Sequence, residues 1–436
     1  MNLQTRNISP WAWVPTLYFA QGIPYFIVNN ISVMMFTKMG VPNGEMALFT
    51  SLLYLPWTIK PFWSPFVDII KTKRWWTIAM QVLMSVAFIL LTLAIPRPDE
   101  ADIASGTTHI SLFTFTLVLF IITAFASATH DIAADGFYML ALKQSDQAAF
   151  VGIRSTFYRL ASIFGQGVLV AIAGAIELRT ENIPLSWTIT MLVTAVLFSL
   201  VTFYHLFAVP KPTSDKSTLA AGAIFREFGR TFATYFTKPG ALLAIVFMLL
   251  YRLPEAFLIK MCMPFLVASK ESGGLELSTA EVGIVYGTIG VIFLTLGGIL
   301  GGLFASRIGL KKSIWWMAGC MTLPCLTFVY LAIAQPDNLF AISTAIAIEQ
   351  FGYGFGFTAY MLYMMYFSEG EFKTSHYAIC TAFMALSMMI PGMFAGYIQE
   401  AIGYTDFFWL VMICCFATVV VTIFADRRID PEYGKK

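Results

Sequence analysis

Residues 75–95 read WWTIAMQVLMSVAFILLTLAI, 21 consecutive positions without an Asp, Glu, Lys or Arg. As an α-helix this run is about 30 Å long, the thickness of a bilayer's hydrocarbon core. A helix that is apolar all round belongs in a large protein core or in lipid. Composition chooses between the two: 58% of the 436 residues are hydrophobic and 12% are charged, about half the roughly 25% charged residues of a soluble domain. That surface cannot face water, so lipid is the main solvent.

Runs of similar length recur at 13–36, 46–68, 75–95, 111–141, 148–176 and 187–208, and again at 240–268, 280–305, 313–334, 339–367, 375–399 and 405–425. The pattern predicts an all-α membrane protein of twelve transmembrane helices in two six-helix halves, 1–209 and 240–436. A cytoplasmic linker, 210–239, joins them and is expected to carry a short surface helix around Phe225 to Phe236. With this topology 18 Lys and Arg, among them Arg6, Lys143, Lys216, Lys435 and Lys436, fall on the side of the termini and four on the other. Both termini are therefore expected in the cytoplasm. The net charge of +2 is scattered in small groups and forms no basic stripe, so no nucleic-acid partner is expected. The six cysteines lie inside apolar runs without metal-ligand spacing and read as reduced structural thiols. The first run reads as a retained helix rather than a signal peptide.

The halves repeat. Ser64-Pro-Phe-Val-Asp68 followed by Lys73-Arg74-Trp75-Trp76 returns 238 positions later as Gly302-Leu-Phe-Ala-Ser306-Arg307-Ile-Gly309 followed by Lys311-Lys312 and Trp315-Trp316. The second copy resembles the loop signature of the major facilitator superfamily, with Ser306 in place of the usual acid. Asp68, Arg74, Gly302, Arg307 and Gly309 are expected to serve the conformational change.

An ionisable group inside the membrane is costly and marks function by default. The candidates are Lys60, Asp68, His130, Asp131, Asp135, Arg154, Arg159, Arg252, Glu255, Lys260 and Glu349. Asp131 and Asp135 share a face of helix 4. Equal depth across the antiparallel pair of helices 4 and 5 sets Asp135 against Arg154 and Asp131 against Arg159. Either pair is open to two readings, mutual neutralisation or exchange of a proton or ligand with a wet cavity. Tyr251-Arg252-Leu-Pro254-Glu255 interrupts helix 7 near mid-membrane, and Gln21-Gly22-Ile-Pro24-Tyr25 interrupts helix 1 at similar depth. Interrupted helices at matching places in two halves point to a binding site, and Gln21, Tyr25 and Asn29 follow each other on one face. Glu349 is expected either to carry a proton at rest or to pair with Arg252. Lys60 and Lys260 are expected to snorkel, and Trp57, Trp63, Trp75, Trp76, Trp315, Trp316 and Trp409 to form interfacial belts.

At Phe19-Ala-Gln-Gly-Ile-Pro24, Lys60-Pro-Phe-Trp63-Ser64-Pro65 with Asp68, Ser127-Ala-Thr-His-Asp131-Ile with Asp135, Tyr158-Arg159-Leu, Leu250-Tyr251-Arg252 with Glu255, and Glu349, the chain resembles the AmpG-type muropeptide permeases, a branch of that superfamily that also includes the acetyl-CoA transporters. The resemblance runs through nearly the whole chain. It implies the major facilitator fold, with Asp131, Asp135, Arg159, Arg252 and Glu349 lining or coupling a central cavity and an anhydro-muropeptide entering with a proton. His130, where the relatives commonly have Gln, and Pro254 depart from the pattern. Five buried bases against five acids suit a sugar-peptide better than a multiply phosphorylated coenzyme, and Gly165-Gln-Gly167 replaces the Gly-Pro pair of antiporters.

The expectation is a secondary active transporter rather than an enzyme: proton-coupled symport of anhydro-muropeptides, for peptidoglycan recycling, by a monomer in the bacterial inner membrane, without metal or cofactor. Glu349, Asp131 and Asp135 would handle protons. Arg252, Arg159, Glu255, Gln21, Tyr25 and Asn29 would bind the solute, Arg252 through a carboxylate. The alternatives are an acyl-CoA or other sugar or peptide transporter and, from another class, a membrane-embedded enzyme or a transporter-like receptor. His109, His130, His205 and His376 are too scattered for a catalytic cluster.

Overall fold

A computed structural model of the chain describes residues 8–434 except 143, 214, 216–220, 371 and 372. Arg6, Lys143, Lys216, Lys435 and Lys436 fall outside the described residues, as does the side chain of Asp68. Among the described residues the fold is helical throughout, with twelve long helices that follow the apolar runs to within a few positions. They are α1 (14–38), α2 (43–69), α3 (Lys73–Ala94), α4 (Ile110–Ala141), α5 (144–180), α6 (Ile183–Ala208), α7 (Ala241–Val267), α8 (Thr279–Ile308), α9 (Leu310–Ala334), α10 (Leu339–Ser368), α11 (373–402) and α12 (404–426). α11 and α12 run on from one another and part only at Gly403, whose φ of 76° and ψ of 171° are non-helical. Eight segments are long and apolar enough to cross a membrane by length and composition, the last of them holding both α11 and α12. The helices outside that set, α1, α2 and α10, are those bearing Gln21, Asn29, Asn30, Lys60, Glu349 and Gln350. An apolar exterior is present as well, since Leu93, Leu242, Phe340, Ile413 and Phe416 are each more than two-thirds exposed.

Both ends of the described chain lie on one face, here the terminal face. Tyr204 of α6 donates to Ala12 O at 2.5 Å, and Leu310 N at the start of α9 donates to Tyr433 O at 2.9 Å. Arg74 closes the end of α6 there, donating to Val209 O at 3.0 Å and Leu206 O at 2.8 Å. A guanidinium on the last carbonyls of a helix also meets its negative dipole end. Asp215 caps the start of α3 by accepting from Lys73 N at 2.7 Å and Arg74 N at 2.9 Å. In the other half Lys311 reaches Ile429 O at 3.3 Å, so the first turn of α9 meets the end of α12 as that of α3 meets α6. Gly309 ends α8 at a φ of 81°, a backbone state that glycine adopts freely. Gly302 has open space around it and Arg307 is exposed. A helix at Ala221–Thr237 lies between the sixth and seventh spans. Its Phe232 rests 5.5 Å from the Phe62 ring of α2, and its Tyr235 against Phe383 of α11.

The halves meet through α2 on α11 and α5 on α8. At the opposite, far face the first contact is polar: Asn43 donates to Gln399 at 2.7 Å and Tyr404 at 3.0 Å, and Gly44 N to Glu400 at 2.8 Å. The second joins Glu177 to Lys38 at 2.7 Å and to Thr279 at 2.6 Å. Small residues then let α5 and α8 touch backbone to backbone. A Cβ at Gly287 would overlap the carbonyl of Gln166, and one at Gly283 the backbone of Ala171. Gly287→Val is therefore expected to abolish transport by holding this contact apart, read as lost uptake with raised far-face thiol accessibility. Gly319→Ala, with nothing within 4 Å of the added carbon, should leave both unchanged.

Three wide turns of the π type interrupt α1, α5 and α8, at Ile27–Ile31, Ile163–Leu169 and Val285–Gly290. The second lies against each of the other two, and against the third it does so where the two halves meet. Each inserts one residue beyond the α-helical repeat, a device common at functional sites.

Candidate functional site

Below the far-face contacts the halves separate around a cavity of about 700 Å³, within the range of small-molecule sites. It runs toward the terminal face, where Asp135 and Arg154 line it and keep 43% and 32% of their side chains exposed. Gly22 holds α1 tight on α5, since a Cβ there would come within 2.6 Å of Ala161 Cβ. That close approach brings Gln21 and Tyr25 onto the wall beside Tyr158.

Asn29 does not join them on the large cavity. The π turn beginning at Ile27 adds a residue, so the face continues from Tyr25 to Asn30, which donates to Gln166 at 3.1 Å. Asn29 donates back to Tyr25 O at 3.1 Å and borders a smaller adjoining void.

Of the two pairs expected between α4 and α5, one forms. Arg154 meets Asp135 at 3.0 Å, Tyr18 donates to the same oxygen at 2.9 Å, and the guanidinium stacks 4.4 Å above the Tyr18 ring. Asp131 and Arg159 do not pair. Arg159 crosses to α8 and donates to Thr295 at 3.3 Å beside Gly298, while Asp131 faces Lys60, Gln21 and Trp57. Equal depth fixed the level of the two side chains but not their direction around the helices. Asp135→Asn is expected to cost only about 0–1 kcal/mol, because a pair this exposed is screened; a melting midpoint close to that of the unaltered protein checks this.

α7 breaks where the sequence places Tyr251-Arg252-Leu-Pro254. Arg252, at φ −102° and ψ 12°, precedes a fresh helical segment with Pro254 in its first turn, where a missing N–H is harmless. The break turns Arg252 into the cavity wall. Its side chain is 5% exposed and stacks on Phe357 at 4.7 Å, Tyr353 at 5.4 Å and Tyr360 at 5.7 Å, all from α10. It donates to the Tyr353 hydroxyl, and its Nε has no partner. Among the described residues no carboxylate comes within 4.0 Å of it, so the expected pairing with Glu349 is not made.

Glu255 and Glu349 lie behind this wall rather than on it. Each is 1% exposed. Both oxygens of Glu255 and Oε1 of Glu349 lack partners, while Glu349 Oε2 accepts from Gln350 at 2.9 Å. Glu255 therefore has no surface on which to hold a solute in this state.

Three features were not visible in the sequence. Trp57, expected in an interfacial belt, is buried against Tyr25 at 5.2 Å, and Trp63 donates to Thr129 at 3.2 Å. Lys260 does not snorkel; it is buried and donates to Thr50. His130 faces away from the cavity, in a chain in which Gln81 bridges it to His205 at 2.9 Å on each side.

Residues 16–375 match the family model of the Major Facilitator Superfamily. The anhydromuropeptide permease of Escherichia coli is 23% identical over 90% of this chain and 74% of its own. A putative transporter AmpG 4 of Rickettsia conorii is 23% identical over 95% and 96%. Among solved structures a D-xylose-proton symporter superposes with a TM-score of 0.71 at 13% identity, covering 98% of this chain and 99% of that one. The nucleoside transporter NupG does so with 0.65 at 16%, covering 96% and 98%. Helix count, six-plus-six arrangement, the cavity between halves and these matches agree: the chain belongs to the major facilitator superfamily and is an integral membrane transporter similar to the proteins named AmpG.

Proposed function

We propose that this transporter carries an anhydro-muropeptide, a sugar-peptide with free carboxylates, across the bacterial inner membrane into the cytoplasm together with protons. The observation that carries the reading is Arg252: a cavity-lining guanidinium stacked on three aromatic rings, with no carboxylate within 4.0 Å among the described residues. Such a group is built to receive a planar anion from outside the protein. Gln21, Tyr25 and Asn30 on the facing wall offer hydrogen bonds to sugar hydroxyls. The excess of Lys and Arg on the terminal face supports a cytoplasmic position for that face and both termini. The conformation is then the inward-facing one, with the far-face seal closed. The whole path lies within one chain, which works as a monomer by rocking of its halves, 1–209 and 240–436, about the linker 210–239. The names of the similar permeases supply the solute class.

Uptake of labelled GlcNAc-anhydro-MurNAc tripeptide into membrane vesicles tests the proposal. Accumulation driven by an inward proton gradient is expected, and no accumulation under that gradient rejects the solute assignment.

A further inference from the structure

We propose that Lys260 is a second anion-binding group on the transport path, one that takes a carboxylate of the solute on its way in from the far face before Arg252 does. The inference rests on the transport reading of the same cavity.

Lys260 lies eight residues beyond Arg252 along α7, about 12 Å nearer the far face. It is 5% exposed, and its ammonium makes one hydrogen bond, to Thr50 Oγ1 of α2 at 3.1 Å. Thr50 brings no charge, and its own proton is committed to Met46 O at 2.6 Å. Among the described residues no carboxylate lies within 4.0 Å of Lys260. An ammonium has three donors, so two are unused. Beside it, Ser51 is fully buried and its hydroxyl has no partner. Both side chains close on bare backbone: a Cβ at Gly392 of α11 would meet Ser51 Oγ at 2.5 Å and Lys260 Cε at 3.1 Å. Spare donors from two helices thus converge where, among the described residues, the one buried side-chain acceptor left without a partner on the wall is the neutral amide oxygen of Asn29 and no carboxylate is supplied, an arrangement that favours an anion. Met or Leu would fill the same space at lower cost, since a buried charge without a counter-ion is strongly unfavourable.

The surrounding void measures about 10 Å³, room for about one water. Its walls include Asn30, Tyr54, Ile259, Tyr286 and Met388, which also line the large cavity. The two spaces are neighbours on one path, and the smaller is shut in this conformation. Lys260 belongs to one half and Thr50 and Tyr54 to the other, so parting α2 from α11 withdraws both the Thr50 hydroxyl and the Tyr54 ring, which lies 5.7 Å from the ammonium. A solute carboxylate entering from the far face takes that place, and resealing returns Lys260 to Thr50 once the anion has moved on to Arg252.

The test uses the full chain in vesicles with Ser51→Cys as a reporter, modification at position 51 being mapped by mass spectrometry. Thiol reagents carrying a sulfonate or a trimethylammonium group are added from the far face. With Lys260 in place the sulfonate reagent is expected to react about tenfold faster than the cationic one, as for one charge-assisted contact, and Lys260→Gln should erase the preference. Absence of labelling at position 51, or a preference that survives Lys260→Gln, overturns the proposal. Asn30→Cys reports on the same space if Ser51→Cys does not accumulate. In uptake, Lys260→Gln should raise KM for the tripeptide solute about tenfold and leave that of its methyl ester unchanged, with Lys260→Arg restoring the former. Equal loss for both solutes would make Lys260 structural. Failure of the unaltered protein to take up either solute would reject the muropeptide assignment, while the labelling ratio still decides the subsite.

Discussion

Arg252→Gln is expected to raise KM for the muropeptide by about 10- to 150-fold, the value of a hydrogen-bonded ion pair worth about 1.5–3 kcal/mol. Among the described residues no carboxylate comes within 4.0 Å of this guanidinium, so its direct contacts in the empty protein are the Tyr353 hydroxyl and three ring faces, with Glu255 acting from further off. Cation–π contact can hold a desolvated cation while leaving its in-plane donors free. Glutamine keeps a polar amide end but is two bonds shorter, and it removes the charge, the donor fork and the stacking. Arg252→Lys is expected to recover only part of the loss, because an ammonium offers neither the fork nor the flat face. Initial rates of uptake across a range of solute concentrations, for both variants, make the comparison. An unchanged KM in Arg252→Gln would remove this residue from solute binding.

Glu349→Gln should abolish accumulation against a gradient while sparing exchange of labelled for unlabelled solute. The carboxyl is almost fully buried in the middle of α10, with one oxygen bare, and Glu255 lies behind the same wall with neither oxygen partnered. Two carboxylate charges at this depth with three of their four oxygens unpartnered are not a stable arrangement. A proton held there is the simplest way to satisfy the site, and its release and return would couple solute movement to the proton gradient. Glutamine has the shape of the loaded form and cannot unload. The halves can still rock with solute bound, which is what exchange requires. Accumulation equal to that of the unaltered protein would remove Glu349 from coupling, and loss of exchange as well would show a role in folding or binding instead. Arg252 and Glu349 are thereby assigned different steps, and the two variants should fail in different assays.

The spans, the two-fold repeat and the break at Arg252 were legible in the sequence because each depends on local composition. A run such as 75–95 has no alternative to lipid, and a Pro two places after an Arg in an apolar helix marks its interruption wherever the helix packs. Direction around a helix axis was less legible. The four-residue spacing of Gln21, Tyr25 and Asn29 is sound for an α-helix, and one extra residue in the turn after Phe26 moved the cavity face on to Asn30. Equal depth across the antiparallel pair sets Asp135 opposite Arg154 and Asp131 opposite Arg159 equally well. Only the tertiary fold shows that Arg159 turns to Thr295 across the gap between halves. Lys260 departs from expectation for the related reason that snorkelling assumes a helix face in contact with lipid, whereas that face of α7 is packed on α2 and α11. Asp215, which caps α3, carried no signal at all, since its contact is made across 142 positions by an isolated acid in the linker.

The three π turns at Ile27–Ile31, Ile163–Leu169 and Val285–Gly290 have a further implication for how this lineage can change length. Deleting one residue from an α-helix rotates everything after it by about 100°, which in a packed span would carry lipid-facing side chains inward. Inside a π turn the same deletion restores the ordinary repeat and leaves both flanks where they were. Each of these helices therefore holds one spare position, at the level where the halves meet. Single-residue gains and losses among descendants can be absorbed there, and the ancestry of the three spans is better traced from their flanks than through those turns.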